Sequence, residues 1–532
     1  MSDTPTAEAP RKGVLAWIER TGNRLPDPVF IFFYLIGGLV VVSVIAKLAS
    51  WSAVHPSALD DAGAPLVIAA ESLLSAANLQ RLWVEMPTTF THFHPLGYVL
   101  VVMLGAGVAE RSGLFATAMR AGVKSAPLAL LTPIVALVAM VGNLAADAAY
   151  VVLIPLAAVI YAAAGRHPIA GIAASFAGVS GGFSANLLPG QLDALLFGIT
   201  QEAAETVVPG WQANIAGNWY FIAVMLVVFL PVIWYVTDKI IEPRLGTYVP
   251  GSGTDEAMDE DPDAPLTAPQ RKGLRWAGLA ALAVIGLWAL LTLGPGNPLL
   301  DLEADAEARL TPFYRSLVAA FFVFFLATAW AYGAAAGTVK SHRDIVKMMS
   351  DSMGDLAYYL VLSFAAAHFV AMFNWSNLGL ITAVHGAAGL STLALPAPVL
   401  LALIVLLTGV LNLFVGSASA KWALVAPILV PMLMLLGISA ETTTAAYRVG
   451  DSATNIITPL MVYFPLILVF CQRWQRDFGL GSLAALMIPY SVGLLISGVI
   501  LIMLWVGLDI PLGPGAEVFY ELPAALGAPA AP

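Results

Sequence analysis

The chain has 532 residues, of which 59% are hydrophobic and 11% are charged, and its mean hydropathy is +0.84. Soluble globular domains carry about 25% charged residues, so this composition excludes an ordinary soluble domain and predicts a polytopic membrane protein. The formal net charge is -10 and the single cysteine is Cys471, which excludes an intrachain disulfide and a cysteine-based metal site. We expect no cofactor and no nucleic-acid partner.

The N-terminal half begins with a polar segment and continues with apolar runs. Residues 1–27 contain Arg11 and Lys12 but no apolar run that ends in a small-residue cleavage site, so we predict a retained cytoplasmic segment. A helix needs about 20 residues to cross the hydrocarbon of a bilayer. Runs near that length predict simple spans at 28–49, 94–110, 217–237, 273–294, 313–337 and 485–508.

Two regions of the first half differ from simple spans. In 125–164, two apolar arms meet at Gly142, and basic residues lie beyond both arms. This pattern predicts a re-entrant hairpin that enters and leaves on the same side of the membrane. Residues 168–200 then form a crossing that is broken after Gly181 by small and polar residues.

The second half repeats this order. A helix at 353–374 precedes a second hairpin at 397–438 and a second broken crossing at 443–470. Residues 377–393 are apolar, but the parity of the crossings predicts that they do not cross. The fold class is therefore an all-α polytopic membrane protein with nine transmembrane helices, two re-entrant hairpins and inverted-topology repeats.

The order of the elements also predicts the organisation and orientation of the chain. Basic residues accumulate in cytoplasmic loops. With this order of elements, most of the 24 Lys and Arg residues fall on one side of the membrane, which is therefore the cytoplasmic side. The N-terminus is then cytoplasmic and the C-terminus external. The predicted units are a cytoplasmic segment at 1–27, a first membrane half at 28–241, a cytoplasmic acidic linker at 242–272, a second membrane half at 273–510 and an external tail at 511–532.

Matching polar interruptions at membrane depth carry the functional argument. GNLAADAAYVVLIPLA from Gly142 pairs with LFVGSASAKWALVAPIL from Leu413, and GGFSANLLPGQLDALL from Gly181 pairs with VGDSATNIITPLMVYF from Val449. Such breaks survive in a membrane only where they are buried in protein or line a cavity. Two of them at corresponding positions of two halves indicate the binding site of a secondary transporter.

Charged residues at membrane depth cost several kcal/mol each unless they are paired or hydrated, and they mark a site by default. Three acids and two bases have a formal sum of -1, which a bound monovalent cation or a proton would cancel; they are Asp147, Asp193, Lys421, Arg448 and Asp451. Structural alternatives remain open. Lys421 could pair with an acid to brace the hairpin tip, and Arg448 could pair with Asp451 at helical spacing.

Amide, carboxylate and backbone oxygens at the breaks suit sodium, a hard cation that prefers oxygen ligands. The candidate set in the second half is Asn412, Gly416, Asp451 and Asn455, with Asn143 and Asn186 as counterparts in the first half. A lone Asn in a membrane helix commonly joins two helices instead. Trp422 and Tyr150 lie at equivalent positions beside the two tips, where they could stack on an aromatic substrate.

The segments GNLAADAAYVVLIPLA, SANLLPGQLD, NLFVGSASAKWALVAPILVPM and YRVGDSATNIITPL resemble those of the aminobenzoyl-glutamate transporter (AbgT) family. This resemblance implies a homodimer in the bacterial inner membrane, with nine transmembrane helices, two hairpins and a site between hairpins and broken helices. It implicates one set in substrate transport: Asp193, Ser417, Trp422, Arg448, Asp451 and Pro459. It also implicates Asn412, Gly416 and Asp451 in binding sodium.

The function predicted from these features is cation-coupled transport of an aromatic amide that carries carboxylates, p-aminobenzoyl-glutamate by resemblance. Export of sulfonamide antimetabolites is the alternative within the same class. An intramembrane hydrolase that uses Asp147, Asp193 or Asp451 as acid and base is an alternative of another class, although the sequence lacks the metalloprotease and nucleophile-turn motifs. A channel would need a continuous polar lining, whereas the polar residues cluster at the breaks.

Overall fold

The structure is a computed structural model, in which most of the chain is helical. It describes residues 27–59, 65–124, 127–145, 149–248, 266–294, 296–303, 309–458, 461 and 463–522. Within this part of the chain, six helices are long and apolar enough to cross a membrane. Leu96–Arg111 and Leu114–Gly122, which meet at a bend of 65°, together make a seventh candidate.

The first half has helices at the chain positions where the sequence predicted spans, a hairpin and a broken helix. They are α1 Pro28–Leu48, α2 Ala76–Val84, α3 Met86–Thr91, α4 His94–Arg111, α5 Leu114–Lys124, α6 Leu131–Val141, α7 Ile154–Ala163, α8 Pro168–Phe176, α9 Gln191–Ala204, α10 Trp219–Tyr235 and α11 Glu242–Leu245. Short 3-10 and π turns continue several of them at Leu128–Leu130, Gly142–Ala145, Ala149–Leu153, Ala177–Gly181 and Val236–Ile241.

The second half has the corresponding order. Its helices are α12 Ala268–Leu293, α13 Thr311–Ala336, α14 His342–Asp355, α15 Ala357–Trp375, α16 Leu378–Thr392, α17 Ala397–Asn412, α18 Ala418–Met434, α19 Ala440–Asn455, α20 Phe464–Trp474 and α21 Leu480–Gly507. We call α6 with α7 the first hairpin and α17 with α18 the second hairpin. The first broken helix is α8 with α9, and the second is α19 with α20.

The helices are interrupted at the first predicted break, but the second interruption begins later than predicted, because 449–455, which include Asp451, belong to α19. The stretch 182–190 between α8 and α9 is not helical, and neither is the described part of 456–463 between α19 and α20. The first break contacts α19 close to its C-terminal end, because the backbone N–H of Ser184 donates to Ser452 Oγ at 3.0 Å. This part of the irregular backbone is therefore buried in protein, as irregular backbone at membrane depth requires.

The expectation of a purely α-helical chain is wrong at one place. Ser52–Leu59 pairs with Pro65–Ala69 as an antiparallel two-stranded sheet between α1 and α2. The second strand, PLVIA, is rich in β-branched residues, which favour strands. This short sheet is a local addition to a helical membrane fold.

The predicted tail begins with a segment that packs on the protein. Leu512 O accepts a hydrogen bond from Phe221 N at 3.1 Å, and Val518 O accepts one from Ser439 N at 3.0 Å. Leu512 and Val518 are also fully buried. Residues 511–522 therefore connect the start of α10 to the start of α19, while 523–532 lie outside the described residues, as does most of the predicted linker, 249–265.

Close helix contacts hold the second hairpin against the second broken helix. Gly450 in α19 faces α17 so closely that a Cβ atom there would lie 2.1 Å from Thr408 Oγ1 and 2.3 Å from Val405 O. Small residues at membrane helix interfaces permit this approach of backbones. The contact places the tip of the second hairpin beside Asp451.

Candidate functional site

One buried ion pair joins the two halves of the chain. Arg448 Nη2 in α19 donates to Asp193 Oδ1 in α9 at 2.6 Å, and the side chains are 1% and 6% exposed. The Nε and Nη1 atoms of Arg448 are also buried, and they have no hydrogen-bond partner among the described residues. The guanidinium therefore retains donor capacity at the interface of the two broken helices.

The local sequence fixes the carboxylate of Asp193. It is the third residue of α9, and its Oδ2 accepts from the backbone N–H of the N-cap residue Gly190 at 2.7 Å. An acid at this position satisfies a free backbone donor and complements the positive end of the helix. Asp193 can therefore hold Arg448 in place with its second oxygen.

A second buried ion pair lies at the tip of the second hairpin. Lys421 Nζ contacts the carboxylate of Asp451, and both side chains are at most 2% exposed. The same ammonium donates to Asn412 Oδ1 at 2.5 Å and approaches Val415 O at 3.4 Å. We call these three oxygens, Asn412 Oδ1, Val415 O and Asp451 Oδ1, the oxygen cage.

The pairing of Arg448 with Asp451 at helical spacing, which was one alternative from the sequence, is wrong. Each base pairs with an acid in another element: Lys421 of the second hairpin with Asp451, and Arg448 with Asp193 of the first half. Removing one partner of a buried pair costs about 3–5 kcal/mol, because a charge is left uncompensated in the interior. Both pairs therefore fix how hairpin and helices dock.

The four candidate sodium ligands come together only in part. Asn412 Nδ2 donates to Asp451 O at 2.7 Å, to Thr454 Oγ1 at 2.9 Å and to Asn455 Oδ1 at 2.8 Å. The side-chain oxygens of Asn412 and Asp451 are engaged by Lys421. Gly416 lies in the tip, half-buried, and the carbonyl of the preceding Val415 is the one that faces the ammonium.

Trp422 lies in the core rather than on an accessible surface. Its indole is fully buried, and Nε1 donates to Leu196 O at 3.2 Å and to Thr200 Oγ1 at 3.0 Å. Its ring packs on Tyr447 with a centroid distance of 4.4 Å. In this conformation Trp422 connects the second hairpin to α9 and offers no free face to a substrate.

The remaining candidates occupy different places. Ser417 caps α18 by accepting from Ala420 N at 3.3 Å. In the first half, Asn143 and Asn186 both direct their amide N–H groups at Met140 O, at 3.1 and 3.4 Å. Tyr150, like Trp422, packs on a tyrosine, Tyr463, at 4.3 Å. Asp147 and Pro459 lie outside the described residues.

The centre is closed, and cavities lie beside it. One cavity of about 430 Å³ is lined by Ser439 and Glu441 at the start of α19, together with the segment that follows α21. Another, of about 640 Å³, runs along the first hairpin past Val151 and Pro155. Neither is lined by Arg448. In this conformation the side chains of both ion pairs are at most 6% exposed.

Comparison with known proteins assigns this architecture. The family model of the AbgT transporter family matches residues 13–520. The chain belongs to the AbgT transporter family. It is 37% identical over 520 residues to the p-aminobenzoyl-glutamate transport protein of Escherichia coli (strain K12), covering 97% of this chain and 98% of that protein.

Two solved AbgT structures have the same fold. The YdaH transporter of Alcanivorax borkumensis is 42% identical, with a TM-score of 0.84, and covers 92% of this chain and 100% of its own. MtrF of Neisseria gonorrhoeae, described with a class of antimetabolite efflux pumps, is 40% identical with a TM-score of 0.87, covering 94% and 99%. The chain is thus a multi-pass membrane transporter and not an enzyme, so the hydrolase alternative is set aside.

The central position of Lys421 was not predicted from the sequence. The lysine was expected at most to brace the hairpin tip, and it was not among the candidate site residues. The signal was present in part, because an ammonium nine residues after Asn412, within an apolar hairpin, needs several oxygen partners. Thr200 was also missed, and nothing in its local sequence distinguishes it from other helical threonines.

Proposed function

We propose that this AbgT protein is a cation-coupled secondary transporter of p-aminobenzoyl-glutamate or a similar aromatic carboxylate. The observation that carries the proposal is Arg448, a buried guanidinium with two nitrogen atoms free of partners among the described residues. A buried donor without an acceptor is costly, about 1–3 kcal/mol per group and more for a charged one. A substrate carboxylate supplies the missing acceptor and gains charge-assisted hydrogen bonds.

The surroundings of Arg448 suit alternating access. Its partner Asp193 belongs to the first half, and its neighbour Asp451 belongs to the group that holds the second hairpin. A carboxylate that binds the other two nitrogen atoms of Arg448, Nε and Nη1, shares the positive charge with Asp193 and so weakens the ion pair between halves. Substrate binding and movement of the halves are then linked through one side chain.

The coupling cation is proposed to act at Asp451. This acid lies in the second broken helix, and its carboxylate contacts the same Lys421 ammonium that the amide oxygen of Asn412 and the carbonyl oxygen of Val415 approach. Sodium is one candidate for the coupling ion and a proton is the other. We further propose nine crossings with two hairpins, a cytoplasmic N-terminus, an external C-terminus and a homodimer in the inner membrane.

The test uses the purified full-length protein in proteoliposomes, with imposed sodium and pH gradients varied independently. Saturable accumulation of p-aminobenzoyl-glutamate that follows one of these gradients is expected. Arg448→Lys keeps the charge but has different donor geometry, so it should transport poorly while Arg343→Lys, at an exposed position, behaves as the unmodified protein. Absence of gradient-driven movement of this substrate in either direction would refute the proposal.

A second candidate is export of sulfonamide-type antimetabolites, which share the aminobenzene end of the substrate. It is favoured by the 40% identity to MtrF, described with antimetabolite efflux pumps. The same proteoliposomes distinguish the two functions. Sulfonamide movement without p-aminobenzoyl-glutamate movement would favour the second candidate.

A further inference from the structure

The oxygen cage already contains a cation, the ammonium of Lys421. Its Nζ contacts the carboxylate of Asp451, lies 2.5 Å from Asn412 Oδ1 and lies 3.4 Å from Val415 O. The ring of Tyr447 covers another side, with its centroid 5.8 Å from Nζ. The side chain is 1% exposed, so the ammonium has exchanged its hydration for these groups.

A carboxylate, a side-chain amide oxygen and a backbone carbonyl are also the ligand types that a hard monovalent cation takes from a membrane protein. Two of these oxygens belong to residues that the sequence marked as sodium ligands, Asn412 and Asp451. In this conformation both oxygens contact the Lys421 ammonium instead. The fourth marked ligand, Asn455, has its amide oxygen occupied by Asn412 Nδ2 at 2.8 Å.

Charge makes the two occupants mutually exclusive. Lys421 and Asp451 balance each other, so a free cation added to the cage would leave an excess positive charge in a buried place. Repulsion between charges a few ångströms apart is strong in such a medium. The cage therefore suits either the ammonium or a free cation at one time.

We propose that Lys421 is a built-in competitor of the coupling cation, and that the cation enters the oxygen cage only when the Lys421 ammonium withdraws. The inference rests on the proposed cation coupling at Asp451. When the cation takes the cage, it still bridges Asn412 and Val415 to Asp451, whereas the N-terminal part of α18, which carries Lys421, is released. Cation binding thus changes how the second hairpin is fastened to the second broken helix.

The first test measures equilibrium binding of ²²Na⁺ to the purified full-length protein without substrate. Lys421→Ala removes the competitor, so its sodium dissociation constant should fall about tenfold or more relative to the unmodified protein. Lys421→Met, which keeps most of the side-chain volume, should shift it in the same direction. The control Lys347→Ala removes an exposed ammonium that pairs with Asp351, and it should leave the constant unchanged.

The opposite result has a clear meaning. If Lys421→Ala and Lys421→Met bind sodium no more tightly than the unmodified protein, or lose binding while Lys347→Ala keeps it, the lysine supports the site and the proposal is overturned. Methylammonium should also compete with ²²Na⁺ for binding to Lys421→Ala, because methylammonium can occupy the place of the deleted Lys421 ammonium. Failure of such competition would count against the ammonium as the competing species.

The second test needs no variant and covers the case in which the variants fail to fold. Reductive methylation of the unmodified protein, read by mass spectrometry, should modify Lys421 more in sodium than in choline. Equal modification in both salts would overturn the proposal. Neither test measures transport. Failure of substrate uptake would therefore refute the proposed function, whereas sodium binding and methylation decide the role of Lys421.

Discussion

Arg448 and Asp193 form an ion pair across 255 residues of sequence, with Nη2 and Oδ1 separated by 2.6 Å. The pair joins the two broken helices at the centre of the fold, and both side chains are buried. Lys421 and Asp451 form another buried ion pair. Together the two pairs neutralise four of the charges that the sequence placed at membrane depth.

Replacing only Arg448 should destabilise the protein more than replacing both Arg448 and Asp193. We expect Arg448→Met alone to destabilise the protein by about 3–5 kcal/mol, because Asp193 stays buried and unpaired. Adding Asp193→Asn should restore much of the melting temperature in detergent, yet transport should remain absent because the carboxylate receptor is lost. Arg343→Met serves as the exposed control, and full transport by the double variant would contradict the assignment.

The positions of the breaks could be predicted from sequence, whereas the partners of the charges could not. Small, polar and proline residues inside apolar runs are a local signal. They predicted the interruption after Gly181, and they predicted the second interruption from Val449, whereas the helix continues to Asn455. Pairing depends on packing between distant segments. Helical spacing favoured Arg448 with Asp451, but docking of the second hairpin brought Lys421 to Asp451 and left Arg448 for Asp193.

Burial changes the interpretation of Trp422. The sequence placed it beside a hairpin tip as a possible stacking surface, and a single sequence gives no signal that Tyr447 covers one face and that α9 binds its N–H group. The ordered segment around Val518 was missed for the same reason, since its polar and proline-rich sequence resembles a free tail. Both depend on contacts with distant elements.

The core position of Trp422 gives a prediction about stability. Trp422→Ala should cost about 3–5 kcal/mol, so the yield of folded protein and the transport rate should fall together. Trp422→Phe keeps an aromatic ring on Tyr447 and loses only the N–H bonds, at about 1–3 kcal/mol. Thermal melting and uptake measured on both variants provide the check. A normally folded Trp422→Ala that has lost transport would instead favour contact with substrate.

Asp451→Asn tests the coupling role of this acid. The substitution keeps size and removes the charge that holds a cation in the oxygen cage. Because it leaves the Lys421 ammonium buried without its acid, it should also cost about 3–5 kcal/mol of stability. We expect accumulation of substrate against a gradient to be abolished, while downhill counterflow is retained. Both are measured in the same proteoliposomes. A variant that still concentrates substrate, with unchanged dependence on sodium and pH, would remove Asp451 from coupling.

Orientation can be tested by cysteine labelling after the buried Cys471 has been replaced by alanine. A cysteine at Glu521 should react with a membrane-impermeant maleimide in intact spheroplasts. One at Ser252, in the predicted cytoplasmic linker, should react only after permeabilisation. Reaction at Ser252 in intact spheroplasts would disprove the predicted orientation and the inverted arrangement of the hairpins.

Gly450 tests whether close packing of α17 on α19 supports the site. A Cβ atom there would lie 2.1 Å from Thr408 Oγ1 and 2.3 Å from Val405 O, so Gly450→Ala must push the second hairpin away from the second broken helix. Overpacking of this kind costs about 1–3 kcal/mol, and it should lower the melting temperature.

The same shift should impair transport, because Asp451 follows Gly450 directly and meets Lys421 across this interface. The matched control is Gly278→Ala in α12, where nothing lies within 4 Å of the added carbon and where alanine favours the helix by up to about 1 kcal/mol. We expect uptake to fall for Gly450→Ala and to stay unchanged for Gly278→Ala. Normal melting and uptake by Gly450→Ala would mean that the spacing of α17 and α19 does not control the oxygen cage.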